Sequence, residues 1–370
     1  MSGRRLPYPD LDTPCLLIHL DVLERNIAEM QRVAEAAGVR LRPHTKTHKC
    51  PEIAHMQLAA GASGITVAKL GEAEVMVDAG IDDVLVAYPI VGEGKLARLR
   101  ALAERARIRV TTDSVEVAEG LGRVGRDLGR DLPVLVEVDT GMGRMGRPAG
   151  EPTVELVREL VRVPGIRLLG LLTHAGHAYR AASAEELRAI AEREGRDLVE
   201  TAERCAALGV ELEEISVGST PTARIVAGVT GVTEIRPGTY VFNDVQQMRL
   251  GVATEAACAV RVLATVVAHP TGDRFVLDAG AKSFAADGTD GPPFPGRGVV
   301  VDRPDLLLTS MSEEHTVGRP SGGGDVAIGD RLEVIPLHVC STVNLFDEAV
   351  GVRGDRVERT FAIAGRGRSR

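Results

Sequence analysis

Residues 39–89 read VRLRPHTKTHKCPEIAHMQLAAGASGITVAKLGEAEVMVDAGIDDVLVAYP. Three short apolar runs, at 39–43, 63–68 and 82–89, are separated by two stretches of helical periodicity punctuated by Gly or Asp. Strand, helical crossover and strand in succession form a parallel βαβ unit, because parallel strands cannot be joined by a tight turn. The alternation continues outward, with runs at 107–112, 133–139, 167–175, 213–218 and 233–242 bringing the strand candidates to eight. Eight such units predict an α/β fold, a closed (β/α)8 barrel of the TIM type.

Upstream, Cys15-Leu16-Leu17-Ile18-His19-Leu20 reads as a buried strand. Asp21 is placed to cap a helix whose apolar positions Leu23, Ile27, Met30, Val33 and Ala36 recur at helical spacing before Gly38. Downstream of about residue 250 the pattern changes. Ala257–His269, Arg274–Asp278, Asp325–Pro336 and Gly351–Ala364 are rich in β-branched residues and turn signals, with no comparable helical run between them. The expected organisation is a barrel domain over 15–249 and a mainly β C-terminal domain over 250–370, with residues 1–14 packing against the latter. Gly288–Pro293 reads as a loop, at an active site or on the surface, and Ser321–Gly324 as a short low-complexity tract.

With 44% hydrophobic and 26% charged residues, the chain has the composition of a globular protein rather than a disordered or fibrous one. Its formal charge of −8 argues against nucleic-acid binding, which needs a basic face. Met1–Asp10 has no apolar core of a signal peptide, and no window approaches a membrane span, so no membrane association is expected. Five cysteines, odd in number and without a C-x-x-C pair, point to a reducing cytoplasm rather than a disulfide framework. Of the 44 basic residues only five are lysine: Lys46, Lys49, Lys69, Lys95 and Lys282. A GC-rich coding bias accounts for most of the arginine excess, yet an amine that must lose its proton to attack a carbonyl cannot be replaced by a guanidinium.

Catalytic groups of such barrels lie at the C-terminal ends of the strands. The first strand ends in His44-Thr45-Lys46, the fifth in Asp139–Arg144, the sixth in Thr173–Gly176, the seventh in Gly218-Ser219-Thr220 and the eighth in Arg236–Tyr240. Gly141–Gly146 matches G-x-G-x-x-G, but it follows the fifth strand rather than the first and Pro148 interrupts the helix it should open, which disfavours a dinucleotide. The backbone N–H groups of Gly218, Ser219 and Thr220, with Gly238 and Thr239, can surround a phosphate, although two ordinary βα turns would read the same way. Together with the lysine ending the first strand, they suggest a phosphate-bearing cofactor that forms a Schiff base, for which pyridoxal phosphate is the candidate. His338 and Cys340, two apart in an apolar run expected to be a strand, would project from one face and offer a divalent ion two ligands with open positions beside them. A buried cysteine beside a hydrogen-bonded histidine is the plainer reading of that pair taken alone.

Arg42–Lys49, Leu70–Glu74, Ser216–Thr222, Glu234–Tyr240, Ser312–His315 and His338–Cys340 together resemble, in the right order over nearly the whole chain, the D-threonine aldolase and D-serine dehydratase group of pyridoxal phosphate enzymes. The resemblance implies the alanine racemase-like fold (fold type III), a barrel plus a β domain, and a homodimer. It implies that Lys46 carries the cofactor while Lys49 is structural, that Arg144 bonds the cofactor's phenolic oxygen, that His174 and Tyr179 contact the cofactor, and that Arg236 lies near the pyridine nitrogen; Tyr240 joins the phosphate-binding segment. It also implies a divalent ion (Zn, Mn or Mg) at His338 and Cys340. Cys340 matches the zinc-dependent dehydratases, whereas manganese-dependent aldolases carry an aspartate there, and Leu337 replaces the polar residue often found before the histidine.

The activity so implied is lyase chemistry on a β-hydroxy D-amino acid. Retro-aldol cleavage to glycine and an aldehyde, with His174 or His177 as base, is preferred on Leu70–Glu74 and Ala87–Gly92. The alternatives are elimination to a keto acid and ammonia, of the D-serine or 3-hydroxyaspartate dehydratase type, racemisation, and a non-catalytic pyridoxal phosphate-binding protein. His315 is a further acid/base candidate, and His19, His55 and His269 are expected to be structural.

Overall fold

The computed structural model describes residues 7–288, 293–321 and 325–370. Met1–Leu6 and parts of the Gly288–Pro293 and Ser321–Gly324 stretches lie outside the described residues.

All eight expected barrel strands form: β1 (Arg40–Leu41), β2 (Ile65–Val67), β3 (Asp83–Val86), β4 (Arg107–Thr112), β5 (Leu132–Asp139), β6 (Ile166–Leu172), β7 (Glu214–Val217) and β8 (Glu234–Ile235). They pair in parallel in the order β1-β8-β7-β6-β5-β4-β3-β2. A parallel bridge between His44 and Thr66, with Thr66 N–H donating to Pro43 O and Thr45 N–H to Thr66 O, joins the two ends into a ring. Helices such as Leu70–Asp78, Glu93–Ala103 and Val115–Asp127 bury Met76, Leu99 and Leu121 against Val67, Val84 and Val110 in one apolar cluster. Placing strand ends on one rim is what this packing achieves for function.

Inside the ring an ionic network replaces part of the apolar filling. Arg42, 1% exposed, donates from Nε to Glu234 Oε2 (2.9 Å) and from Nη1 to Asp83 Oδ1 (2.5 Å). Ser216 Oγ donates to Glu234 Oε1 at 2.7 Å and accepts from Arg236 Nε at 2.8 Å. Burial alone would raise the Glu234 carboxyl, but Arg42 and the Ser216 hydroxyl hold it below its ordinary value. Removing one partner of such a pair strands a buried charge. Glu234→Ala should therefore cost about 3–5 kcal/mol, read as a lowered urea midpoint.

The second unit is mainly antiparallel, with one parallel pairing between Cys15–His19 and Glu348–Arg353. Arg274–Leu277 pairs with both Val260–Thr271 and Thr316–Pro320, so these three strands and Leu306–Met311, Gly298–Val300 and Arg331–Pro336 form a closed six-stranded ring. Cys15–His19, Glu348–Arg353 and Arg356–Ala362 extend it.

The boundaries differ from those the sequence suggests. The compact units are 1–26 with 239–366, and 27–238 with 367–370, rather than 15–249 and 250–370. Cys15–His19, expected in the barrel domain, pairs with Val260–Thr271 (Leu17 opposite Arg261) and with Glu348–Arg353 (Leu17 opposite Val350). Its local pattern correctly marks a buried strand followed by a helix; its partners lie far along the chain, where periodicity carries no information. Among the described residues no helix is long and apolar enough to cross a membrane.

Candidate active site

Lys46 lies in the turn that follows β1, its backbone N–H directed at His44 Nδ1 (3.4 Å). The eighth strand's exit packs against this turn: a Cβ at Gly238 would stand 2.9 Å from His44 O and 3.0 Å from Thr47 Oγ1, so glycine is required there by close approach. His174, at the end of β6, closes the other side. Burial, reinforced by the charges of Lys46, Arg236 and Arg144, holds both His44 and His174 well below the ordinary imidazole value. The neutral rings are thus set among cationic groups, converging from the first, fifth, sixth and eighth strands.

Arg236 is 4% exposed and donates to Ser216 Oγ and to Thr173 O. Glu137, inside β5, is raised by its burial, against the opposing pull of Arg236 and Arg144; Arg144 Nη2 stands 3.9 Å from its Oε1. Tyr179, part-buried, sits in the short turn Gly176–Arg180 with His177. His177 stands one step out. It adds to the charge acting on His174, but its ring lies against Gly141, where a Cβ would be 3.3 Å away, and it lines a separate cleft of about 710 Å³ with Asp139, Glu186, Arg193 and Arg204.

The Gly218 N–H donates to Glu194 Oε1 (2.8 Å) and the Ser219 N–H to Thr222 Oγ1 (3.0 Å), so both amides have partners within the protein. Gly218 itself is left-handed (φ 99°), which the turn requires. Thr239 and Tyr240 fall in the β unit, where Thr239 Oγ1 lies 3.8 Å from Cys340 Sγ. In the glycine-rich stretch the N–H groups of Gly141, Met142 and Gly143 all donate to Asp139 Oδ1 (2.9, 2.8 and 3.1 Å).

Lys49 pairs with buried Glu72 (3.1 Å), which fits a structural role. His19 bonds Glu333 (2.9 Å) and His55 bonds Ala79 O (2.9 Å), also structural, and His315 is exposed. His48, fully buried, accepts the Cys50 N–H on Nδ1 (3.1 Å), and burial lowers it from 6.5 to about 4. The unfolded chain takes up this proton near 6.5 and the folded chain only near 4, so stability present above 6.5 is lost as pH falls through that window. The loss is about 3 kcal/mol from this group. Urea titrations across the window should show a shallower decline in His48→Gln.

In the β unit, His338 and Cys340 are not on a strand. Arg331–Pro336 ends first, and Val339–Val343 is a short helix with His338 as its N-cap. Asp244 fixes this junction: buried, it accepts the Val339 N–H (3.0 Å) and the Gln247 N–H (3.0 Å). The two side chains still meet. Burial works against a charge on His338, but Cys340, Asp244 and Asp287 carry it up to about 9, with Asp287 Oδ2 at 3.8 Å from Nδ1. Imidazole and thiolate suit a borderline-soft divalent ion, and among the described residues no cluster of three or more His, Cys, Asp or Glu side chains is arranged for one.

Sequence reading missed Glu137, Glu194, Asp244 and Asp287. Asp244-Val245-Gln246-Gln247 is a capping pattern that could have flagged Asp244; nothing local marks the others. An amine ringed by cationic and neutral imidazole groups, beside a turn stripped of side chain at Gly238, fits an anionic aldehyde cofactor such as pyridoxal phosphate.

Comparison with known proteins agrees with this geometry. Residues 18–246 match the family described as "Alanine racemase, N-terminal domain" and 259–352 the "Putative serine dehydratase domain". The chain is 38% identical to D-threo-3-hydroxyaspartate dehydratase of Delftia sp. strain HT23, over 95% of this chain and 97% of that protein. It superposes on the crystal structure of D-threonine aldolase from Filomicrobium marinum with TM-score 0.91 at 33% identity, covering 100% of both chains. It also superposes on a metal-free form of D-threo-3-hydroxyaspartate dehydratase carrying a cysteine-to-alanine substitution (TM-score 0.89, 36% identity, 97% of this chain and 99% of that one). The chain belongs to the alanine racemase-like family of pyridoxal phosphate-dependent lyases that includes the D-threonine aldolases and hydroxyaspartate dehydratases.

Proposed function

We propose that this protein is a pyridoxal phosphate- and divalent-metal-dependent lyase that cleaves β-hydroxy D-amino acids by a retro-aldol reaction, giving glycine and an aldehyde. The observation carrying this reading is His174, held neutral at the strand end facing Lys46 and so able to accept a proton at ordinary pH. Bound pyridoxal phosphate would supply an electron sink for charge developing at Cα, and a divalent ion would polarise the β-hydroxyl.

The chain's own groups do the rest. Lys46 would hold the cofactor through its aldehyde, Arg144 would bond its phenolic oxygen and Arg236 would serve its ring nitrogen. Thr220 and the Gly238 turn would take the phosphate end. Tyr179 orients the ring. The His174 imidazole takes the proton from the β-hydroxyl oxygen as the Cα–Cβ bond breaks. His177 lines its own cleft with Asp139 and Arg193. His338 and Cys340 hold the metal.

Elimination to a keto acid and ammonia is a second reading, favoured by the thiol of Cys340 and by the dehydratase relative; Lys46 Nζ would then take the Cα proton. D-Threonine distinguishes them: acetaldehyde and glycine are expected, whereas 2-oxobutyrate and ammonia would establish elimination.

A further inference from the structure

The helix Ala184–Ala206 turns an apolar stripe of Leu187, Ala191 and Leu198 inward, and within it lies a carboxyl, Glu194, at 1% exposure. A leucine would fill such a position without the cost of burying a polar group. Glu194 Oε1 accepts the Gly218 N–H at 2.8 Å, and the carboxyl also faces the N–H of Ala175 and the hydroxyl of Thr222. Oε2 makes no well-formed hydrogen bond of its own. The next residue, Gly195, brings the helix so close that a Cβ would stand 2.9 Å from Val229, just beyond the short helix Ala223–Val226 that the Gly218–Thr222 turn opens.

One buried group thus touches two strand ends: Ala175, beside His174 at the end of β6, and Gly218, at the end of β7. We infer that Glu194 is a positioning residue that fixes the phosphate-side turn and the His174-bearing turn against each other from behind the barrel wall. The inference rests on the proposed function, since it assigns those turns to cofactor and base. Glu194 touches neither; it acts by holding the Gly218 amide, which would otherwise be buried without this partner, while its carboxyl faces the Ala175 amide, and its loss loosens the turns.

The test is the dissociation constant of pyridoxal phosphate, from absorbance titration of the cofactor-free protein, measured beside the melting temperature for Glu194→Gln, Glu194→Leu and Glu194→Met. Gln keeps the Oε1 acceptor and should bind within about threefold of wild type; Leu and Met should bind about 10- to 100-fold more weakly. Should Leu not fold, Met carries the comparison. Equal weakening in Gln and the apolar variants overturns the inference, as does a melting temperature that falls while affinity stays at the wild-type value. A wild-type protein that takes up no cofactor overturns the proposed function and this role with it; a wild type that binds while all variants match it overturns this role alone.

Discussion

Lys46→Arg should remove at least about a thousandfold of the turnover and abolish the visible absorbance band of the bound cofactor. Arginine keeps the positive charge and most of the length of lysine, so on a surface the exchange is nearly neutral. At Lys46 the requirement is different: the amine must lose a proton to form a bond with the cofactor's carbonyl carbon, and a guanidinium does not deprotonate in a protein. The surroundings assist the lysine. Arg144 and Arg236, whose charges already act on His44 and His174, give the site a cationic character suited to an anionic cofactor. The variant should retain its fold, because Lys46 lies in a turn rather than within a strand or helix. Steady-state assays with D-threonine and an absorbance scan check this together: a Lys46→Arg protein with the wild-type spectrum would remove Lys46 from its role.

Stripping divalent metal with a chelator should lower kcat by about a hundred- to a thousandfold, the range for losing a Lewis acid that stabilises charge worth several kcal/mol. Adding back Zn, Mn or Mg should restore the wild type, and comparing the three identifies the ion it prefers. Cys340→Ala should behave as the stripped protein does and gain little from added metal, because a single imidazole is a weak site. The reason for the large effect is the sparse donor set. On the proposed assignment His338 and Cys340 are the two protein ligands and each would contribute a large share of affinity, and the junction that places them is shared: Asp244 holds the Val339 amide between them. Metal content by elemental analysis should fall in parallel with kcat in Cys340→Ala. If activity falls while metal is retained, Cys340 is not a ligand.

The barrel was legible in the sequence because each βα unit is written locally: an apolar run such as Val84–Val86, then a helical stretch such as Leu96–Ala103, then the next run. Lys46, Arg144, His174 and Arg236 stand out in the sequence because they follow such runs, at strand ends that share one rim, while the roles given to them rest on the family resemblance. What failed was whatever depends on distant partners. Cys15–His19 has the signature of a first barrel strand, yet its hydrogen bonds go to Val260–Thr271. His338–Cys340 looked like a continued strand, but a capping carboxylate from Asp244, far back in the chain, starts a helix there. Glu194 carries the appearance of a solvated helix charge, and only the fold reveals that it faces inward. For the Gly218 and Ser219 amides, the turn's sequence shows the donors but not their partners, Glu194 and Thr222.

The two shortest staves of the barrel, β1 and β8, are two residues each, and pair through only Glu234 with Arg40 and Ile235 with Leu41. By contrast, β5 and β6 share six partner positions. Along this seam the N–H groups of Arg40, Arg42 and His44 donate to Thr233 O, Ile235 O and Pro237 O, and the buried Arg42–Glu234 pair adds a charged join to those backbone bonds. Local opening follows the weakest contacts, and Lys46 sits at the top of this seam. A two-residue ladder opens more readily than a six-residue one, so amides of Arg40 and Arg42 should exchange with solvent sooner than those of Val134–Val136.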